Sequence, residues 1–203
     1  MKKTSLLFFF SLLSTLCLLL SYTYGQERIW VKQTKISEVI AFEKSINPSA
    51  KFISENETLS KEYYPLADKY PTTNPVIVQR EPLDYLPVYA EYFYTSADST
   101  LRLISYDWEK DRYGNFFDKQ KMWKAESTKF DSYNNEYERI KQFLITQLGK
   151  PNIADTSAQV IKYDRGSYLS RNTQWETDDL HAELNMIFES TTYRIRLTLY
   201  WKK

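Results

Sequence analysis

The run Tyr193-Arg194-Ile195-Arg196-Leu197-Thr198-Leu199-Tyr200-Trp201 alternates without a break. Neighbouring side chains of a strand point to opposite faces, so Tyr193, Ile195, Leu197, Leu199 and Trp201 line one side and Arg194, Arg196, Thr198 and Tyr200 the other. Period-two alternation in aromatic and β-favouring residues predicts a strand of an antiparallel sheet with one buried and one wetter face. A chain that carries such a ribbon must supply something apolar to cover its dry side.

The pattern has an echo. Leu101 to Trp108 is a second strand-like run ending in Trp, 93 residues before Trp201. Each run follows another, Ala90 to Tyr94 in the first half and Ala182 to Phe188 in the second, across short turns (Thr95 to Thr100, and Glu189 to Thr192). Upstream of each pair lie helical patterns. Ile36, Val39, Ile40 and Ile46 follow Thr34 as a cap and stop at Asn47-Pro48. Tyr137, Ile140, Leu144 and Leu148 recur at three- and four-residue steps, with Asp131 and Asn134 as competing start caps, Gly149 placed for a left-handed cap and Pro151 barring continuation.

Between these signals the chain is less regular. Ile29-Trp30-Val31 reads as a short strand or a tether, and Leu59 to Tyr70 as a short helix broken at Pro65. Val76-Ile77-Val78, among prolines, reads as an edge strand. Residues 110–130 form a packed crossing without clear periodicity; Val160 to Tyr163, a turn at Asp164 to Ser167 and a strand around Trp175 precede the final pair. The expected fold is α+β, an antiparallel sheet with helices on one face. It is either two tandem helix-hairpin units sharing one sheet (26–125 and 126–203) or one domain with two ordinary hairpins.

The helix ending Leu148-Gly149-Lys150-Pro151, followed by a meander ending in Trp, resembles small exported αβ units of the outer-membrane assembly lipoprotein type. Two such units in tandem are similar to the beta-lactamase inhibitor protein type. The resemblance covers residues 131–203 best and includes no diagnostic motif, so it assigns no residue a role. It implies binding of other proteins rather than catalysis.

Export is the expected destination. Lys2 and Lys3, an apolar run from Leu6 to Leu20 and the small residues Thr23 and Gly25 make a secretory signal peptide cleaved after Gly25. The run is short for a membrane span, and Leu16 before Cys17 is too bulky for a lipoprotein signal. Cleavage leaves 203 − 25 = 178 residues, enough for a core without the disulfides that Cys17, the one cysteine, could not provide. It also leaves 27 − 2 = 25 basic against 26 acidic residues, a balance that gives no field for nucleic acid.

Chemistry is sparse. His181, near Asp178, Asp179 and Glu183, is the one histidine; without a thiol or a nucleophile elbow it reads as a surface residue at a strand edge. Zinc lacks ligands and, with only Gly114, Gly149 and Gly166 left, no phosphate loop or other cofactor motif exists. Asp107, Glu109, Asp111, Tyr113, Asn115 and Asp118 match alternate positions of a calcium loop. Against that register stand Arg112 at the sharp-turn position and Asp118 in place of the longer glutamate, and an ordinary charged turn is the plainer account.

Tyrosine is frequent, 17 of 203 residues. On a half-open sheet a ring packs while its hydroxyl stays wet, and the same rings serve as anchors for a protein or a platform for sugars. The expected working surface is an open sheet face with Tyr92, Tyr94, Arg102, Tyr106, Arg194, Arg196 and Tyr200. The expected function is an exported, non-enzymatic binding module of the bacterial envelope, periplasmic or extracellular, with a protein partner. A glycan-binding protein or a carboxylate-dependent glycoside hydrolase is the alternative. Mass spectrometry of the exported chain should find Gln26 as the first residue; a chain still starting at Met1 would remove the signal-peptide reading.

Overall fold

The computed structural model describes residues 28–53, 55–56, 59–80, 85–164 and 166–203. The expected signal peptide, residues 1–25, lies outside them, as does Arg165 of the expected turn. Among the described residues three helices and nine strands follow one another in chain order. They are α1 (Ile36–Ile46), β1 (Lys51–Ile53), β2 (Val76–Arg80), β3 (Val88–Tyr94), β4 (Leu101–Trp108), α2 (Phe116–Glu126), α3 (Phe130–Leu148), β5 (Ile153–Ala154), β6 (Gln159–Tyr163), β7 (Gly166–Glu176), β8 (Leu180–Phe188) and β9 (Tyr193–Trp201). The fold is α+β, as expected. No helix among the described residues is long and apolar enough to cross a membrane.

All nine strands form one antiparallel sheet in the order β1-β2-β3-β4-β9-β8-β7-β5, with β6 also paired to β7. From the β4/β9 seam the order runs outward in the same way on both sides, β4-β3-β2 and β9-β8-β7. The registers keep this correspondence. Ser105 lies opposite Thr198, at the same 93-residue offset that separates the two terminal tryptophans, and Ala90 sits opposite Tyr106 as Ala182 sits opposite Leu199.

The helices pack on one face, hereafter the front. The alternation in β9 works as the sequence predicts: Tyr193, Ile195, Leu197, Leu199 and Trp201 are buried, and the residues between them are half-buried. Ala182, Leu184, Met186 and Phe188 of β8 and Ile104, Tyr106 and Trp108 of β4 join them, against Val39 of α1 and Tyr133, Tyr137, Ile140 and Leu144 of α3. Each such aliphatic side chain contributes roughly 1.5–3 kcal/mol when taken out of water. One core thus draws on both halves of the chain.

Local signals succeed or fail for identifiable reasons. α3 ends at Gly149, whose φ of 83° is the left-handed conformation a side chain disfavours. Its start is earlier than Asp131 or Asn134. Lys129 takes the cap position without a side-chain bond because only a short turn, closed by Lys129 N–H to Glu126 O at 2.8 Å, separates α2 from α3. Thr34 does not cap α1 either. The cap position is Lys35, and the β3–β4 turn closes the helix end, with Ile36 N–H donating to Ser99 O at 3.0 Å.

α2 was hidden because none of its residues is fully buried and so it carries no apolar stripe; Asn115 caps it by accepting from Asp118 N–H at 3.0 Å. Residues 59–70 form successive turns rather than a helix, and Ile29 to Val31 is a tether whose Trp30 N–H donates to the Tyr106 hydroxyl at 2.7 Å. β2 is not an edge strand, since β1 pairs outside it.

Two buried arginines pin the helices. Arg80, at the end of β2, donates from Nε to Glu43 Oε2 of α1 at 2.9 Å and from Nη2 to the other oxygen; the Tyr92 hydroxyl donates to Glu43 as well. Arg171 of β7 donates to Asn134 Oδ1 at 2.7 Å and Glu138 Oε1 at 2.5 Å of α3, lying 4.5 Å over the Tyr137 ring. Glu43 is wholly buried, so its charge is tolerated only with its partner in place. Glu43→Ala should cost about 3–5 kcal/mol, and a Glu43→Leu/Arg80→Met double variant less than either single change, as urea unfolding midpoints would show. Simple additivity would mean the pair is not coupled.

Candidate functional site

The face away from the helices, hereafter the back, is covered along one half only. Residues 59–70 lie across β3 and β4 and reach β9. Tyr64 is buried with Phe93 and Leu103, and Leu59, Leu66 and Tyr200 pack against them. The Tyr63 hydroxyl sits 3.2 Å from Ser105 Oγ and 3.0 Å from Thr198 Oγ1, on either side of the seam. Beyond β9 this cover ends, and Glu183, Asn185 and Ile187 of β8 with Asn172 and Gln174 of β7 are half-buried. The covering segment is thus a wall beside a polar floor.

At the foot of the wall is a concavity of about 280 Å³ lined by Ser60, Tyr63, Glu91, Phe93, Arg112 and Arg196, among others. Two of these, Arg112 and Arg196, bond to Asp107, fully buried on β4 opposite Arg196 of β9. Arg196 donates to it from Nε at 2.7 Å and from Nη2 at 3.1 Å. Arg112 donates to Asp107 and to Glu91, bridging the two carboxylates. Arg194 stands 4.0 Å from Asp107 Oδ1. Forked guanidinium donors match planar carboxylates, so the cluster is rigid as well as charged.

The structure separates the seven residues expected to share an open face. Arg194, Arg196 and Tyr200 lie together on the back, with Arg194 and Arg196 at 24% and 20% side-chain exposure. Tyr92 and Tyr106 are a correction: both are fully buried on the front, their hydroxyls 3.2 Å apart within the Glu43–Arg80 network. Arg102 is 9% exposed, donates to Lys203 O at 2.8 Å and lies 3.9 Å over the Tyr70 ring. Tyr94 is half-buried at the far corner near Phe52, Ile40 and Val76.

The offset of 93 is odd, and that carried the missing information. The back-facing, even-numbered residues of β9 correspond to odd-numbered residues of β4, namely Leu103, Ser105 and Asp107. The roles of Tyr63 and Arg112 had no signal, since both come from irregular segments.

The calcium register does not assemble into a cation site. Asp107 is taken by arginines, Glu109 accepts from Lys119 at 2.7 Å, and Asn115 and Asp118 bond to each other at the start of α2. The Asp111 carbonyl accepts from Gly114 N–H at 3.4 Å in a tight turn, and Tyr113 meets Tyr89 edge to face. Among the described residues no three His, Cys, Asp or Glu side chains group as metal ligands. His181 stacks on Tyr200, with ring centres 4.7 Å apart, and its Nδ1 lies 2.5 Å from Glu176 Oε2.

Burial pushes the Tyr64 phenol, under the wall, up to about 12, and that of Tyr106 on the front to about 12. A phenol whose folded value exceeds its unfolded value of 10.0 keeps its proton in the folded state after the unfolded chain has lost it. Its contribution is therefore complete below pH 10 and lost as pH rises through about 12. Stability should fall over that window. Tyr64→Phe should flatten the loss measured by urea unfolding at stepped alkaline pH; an unchanged slope would place the effect elsewhere. No protein-family model, curated protein or solved structure matches the chain.

Proposed function

We propose that this chain is a non-catalytic binding module that works outside the cytoplasm and holds a protein partner on the back of its sheet. The observation that carries this reading is the uncovered polar floor of β7, β8 and β9 beside the wall of residues 59–70. Arg194, Arg196, Asn185, Asn172, Gln174, Glu183 and Thr198 share that floor, and the strands beneath are fixed by a packed core. A rigid floor with directional donors and acceptors and a bordering aromatic wall suits recognition of a polypeptide.

A protein suits this floor better than a sugar. A sugar platform requires a ring with a free face, whereas the Tyr200 ring is stacked by His181 and met edge-on by Tyr64. Hydrolysis through paired carboxylates needs one to hand over a proton. Glu91 and Asp107 both bond to Arg112 instead, an arrangement that suits architecture.

A photo-crosslinking residue in place of Asn185 should trap one discrete protein from envelope extract. The same residue in place of Lys124, exposed on α2, should trap none. Equal labelling from both positions, or none from Asn185, would count against the back face as the working surface.

A further inference from the structure

In the cluster around Asp107 every charged side chain but one is hydrogen-bonded. Arg112 spans Glu91 and Asp107, Arg196 takes both oxygens of Asp107, and Lys119 pairs with Glu109. Arg194 is left over. Its guanidinium makes no hydrogen bond among the described residues, and its nearest carboxylate oxygen, 4.0 Å away on Asp107, is already bonded to Arg196. Nε of Arg194 is closed off from solvent without a partner, and only 24% of the side chain is exposed. A guanidinium carries five donors, and three-quarters burial without any of them bonded leaves a charge short of compensation. Burial first, and the neighbouring Arg196 second, hold Arg194 below the ordinary arginine value, which reflects the same shortfall.

We propose that Arg194, with Arg196 beside it, receives a carboxylate from the bound partner, fork to fork, as the charged anchor of the interface. This rests on reading the back face as a binding surface. The surroundings suit such a group: Ile187 lies across from Arg194 on β8, and Asn185 lies across from Arg196. The neighbouring Asp107 selects the ligand class. Its carboxylate oxygen stands 4.0 Å from Arg194, so an incoming anion meets a negative charge as well as two guanidinium groups. A phosphate dianion is repelled by that carboxylate more strongly than a monoanion is. Planar carboxylate geometry also matches the fork of a guanidinium better than that of an ammonium.

The test uses the exported form of the chain, isotope-labelled so that arginine Nε–Hε resonances can be followed by nuclear magnetic resonance. Acetate, inorganic phosphate and a tetraglutamate peptide serve as probes. Acetate and the peptide should both move the Arg194 resonance, with the peptide saturating at a concentration about tenfold lower and phosphate weaker than acetate. Arg194→Gln should weaken the peptide about tenfold or more. Arg194→Lys should recover part of the loss, and Lys162→Gln, on the exposed strand β6, should change nothing. A resonance that no carboxylate moves, or an Arg194→Gln variant that binds like the parent, overturns the inference. Should Arg194→Gln fail to fold, the parent resonance and Arg194→Lys decide. Acetate matching the peptide would overturn the polypeptide as source and leave a small carboxylate in its place. If cross-linking through position 185 persists in Arg194→Gln, the binding face stands and the carboxylate contact falls. If the peptide titrates but position 185 traps nothing, the anion site stands without the partner.

Discussion

The antiparallel pairing of β4 with β9 is the contact on which the rest of the molecule depends. It joins segments about ninety residues apart, from Leu103 opposite Tyr200 to Trp108 opposite Ile195, and makes one sheet of two strand groups. On the front it lays Ile104, Tyr106 and Trp108 beside Leu197 and Leu199, so that α1 and α3 share a core. On the back it sets Asp107 against Arg196 and Ser105 against Thr198, and the Tyr63 hydroxyl bonds across the seam. A one-residue slip in this ladder would turn every one of these side chains to the other face.

Both halves solve the same problem in the same way. A helix packed on a sheet is held in register by an arginine from the outer strand of its own group, Arg80 from β2 to Glu43 of α1 and Arg171 from β7 to Glu138 of α3. Each guanidinium also lies over a tyrosine ring, Tyr106 at 5.4 Å and Tyr137 at 4.5 Å. Such pairs add little net stability over apolar packing, but they penalise any helix placement that leaves a charge unpartnered. The back-face cluster uses the same chemistry with one difference: Arg194 has no carboxylate of its own. That contrast makes Arg194 informative, because among the described residues each other buried guanidinium of the sheet makes at least one hydrogen bond.

The wall of residues 59–70 explains how the back face is divided. β4 is buried along its whole length because helices cover one side and the wall the other, whereas β8 and β9 keep the alternation of buried and half-buried positions. The boundary between covered and open sheet runs along β9, where the charged cluster stands. A partner seated on the open side would therefore meet a rigid aromatic edge and the arginines together.

What the sequence determined by itself was local: the alternation of β9, the paired strands before it, the apolar stripe of α3 and its stop at Gly149. These were legible because periods of two and near four are set by backbone geometry over a few residues. Only the tertiary structure decided which face each residue of β3 and β4 takes, since a strand buried on both sides loses the contrast between dry and wet positions. Sequence alone therefore sets Tyr92 and Tyr106 on an open face, whereas in the fold their hydroxyls serve a buried carboxylate. The meeting of Arg112 with Asp107 and Glu91 was likewise beyond the sequence: Arg112 comes from a segment with no period, and charge pairing depends on distances that only the closed sheet sets.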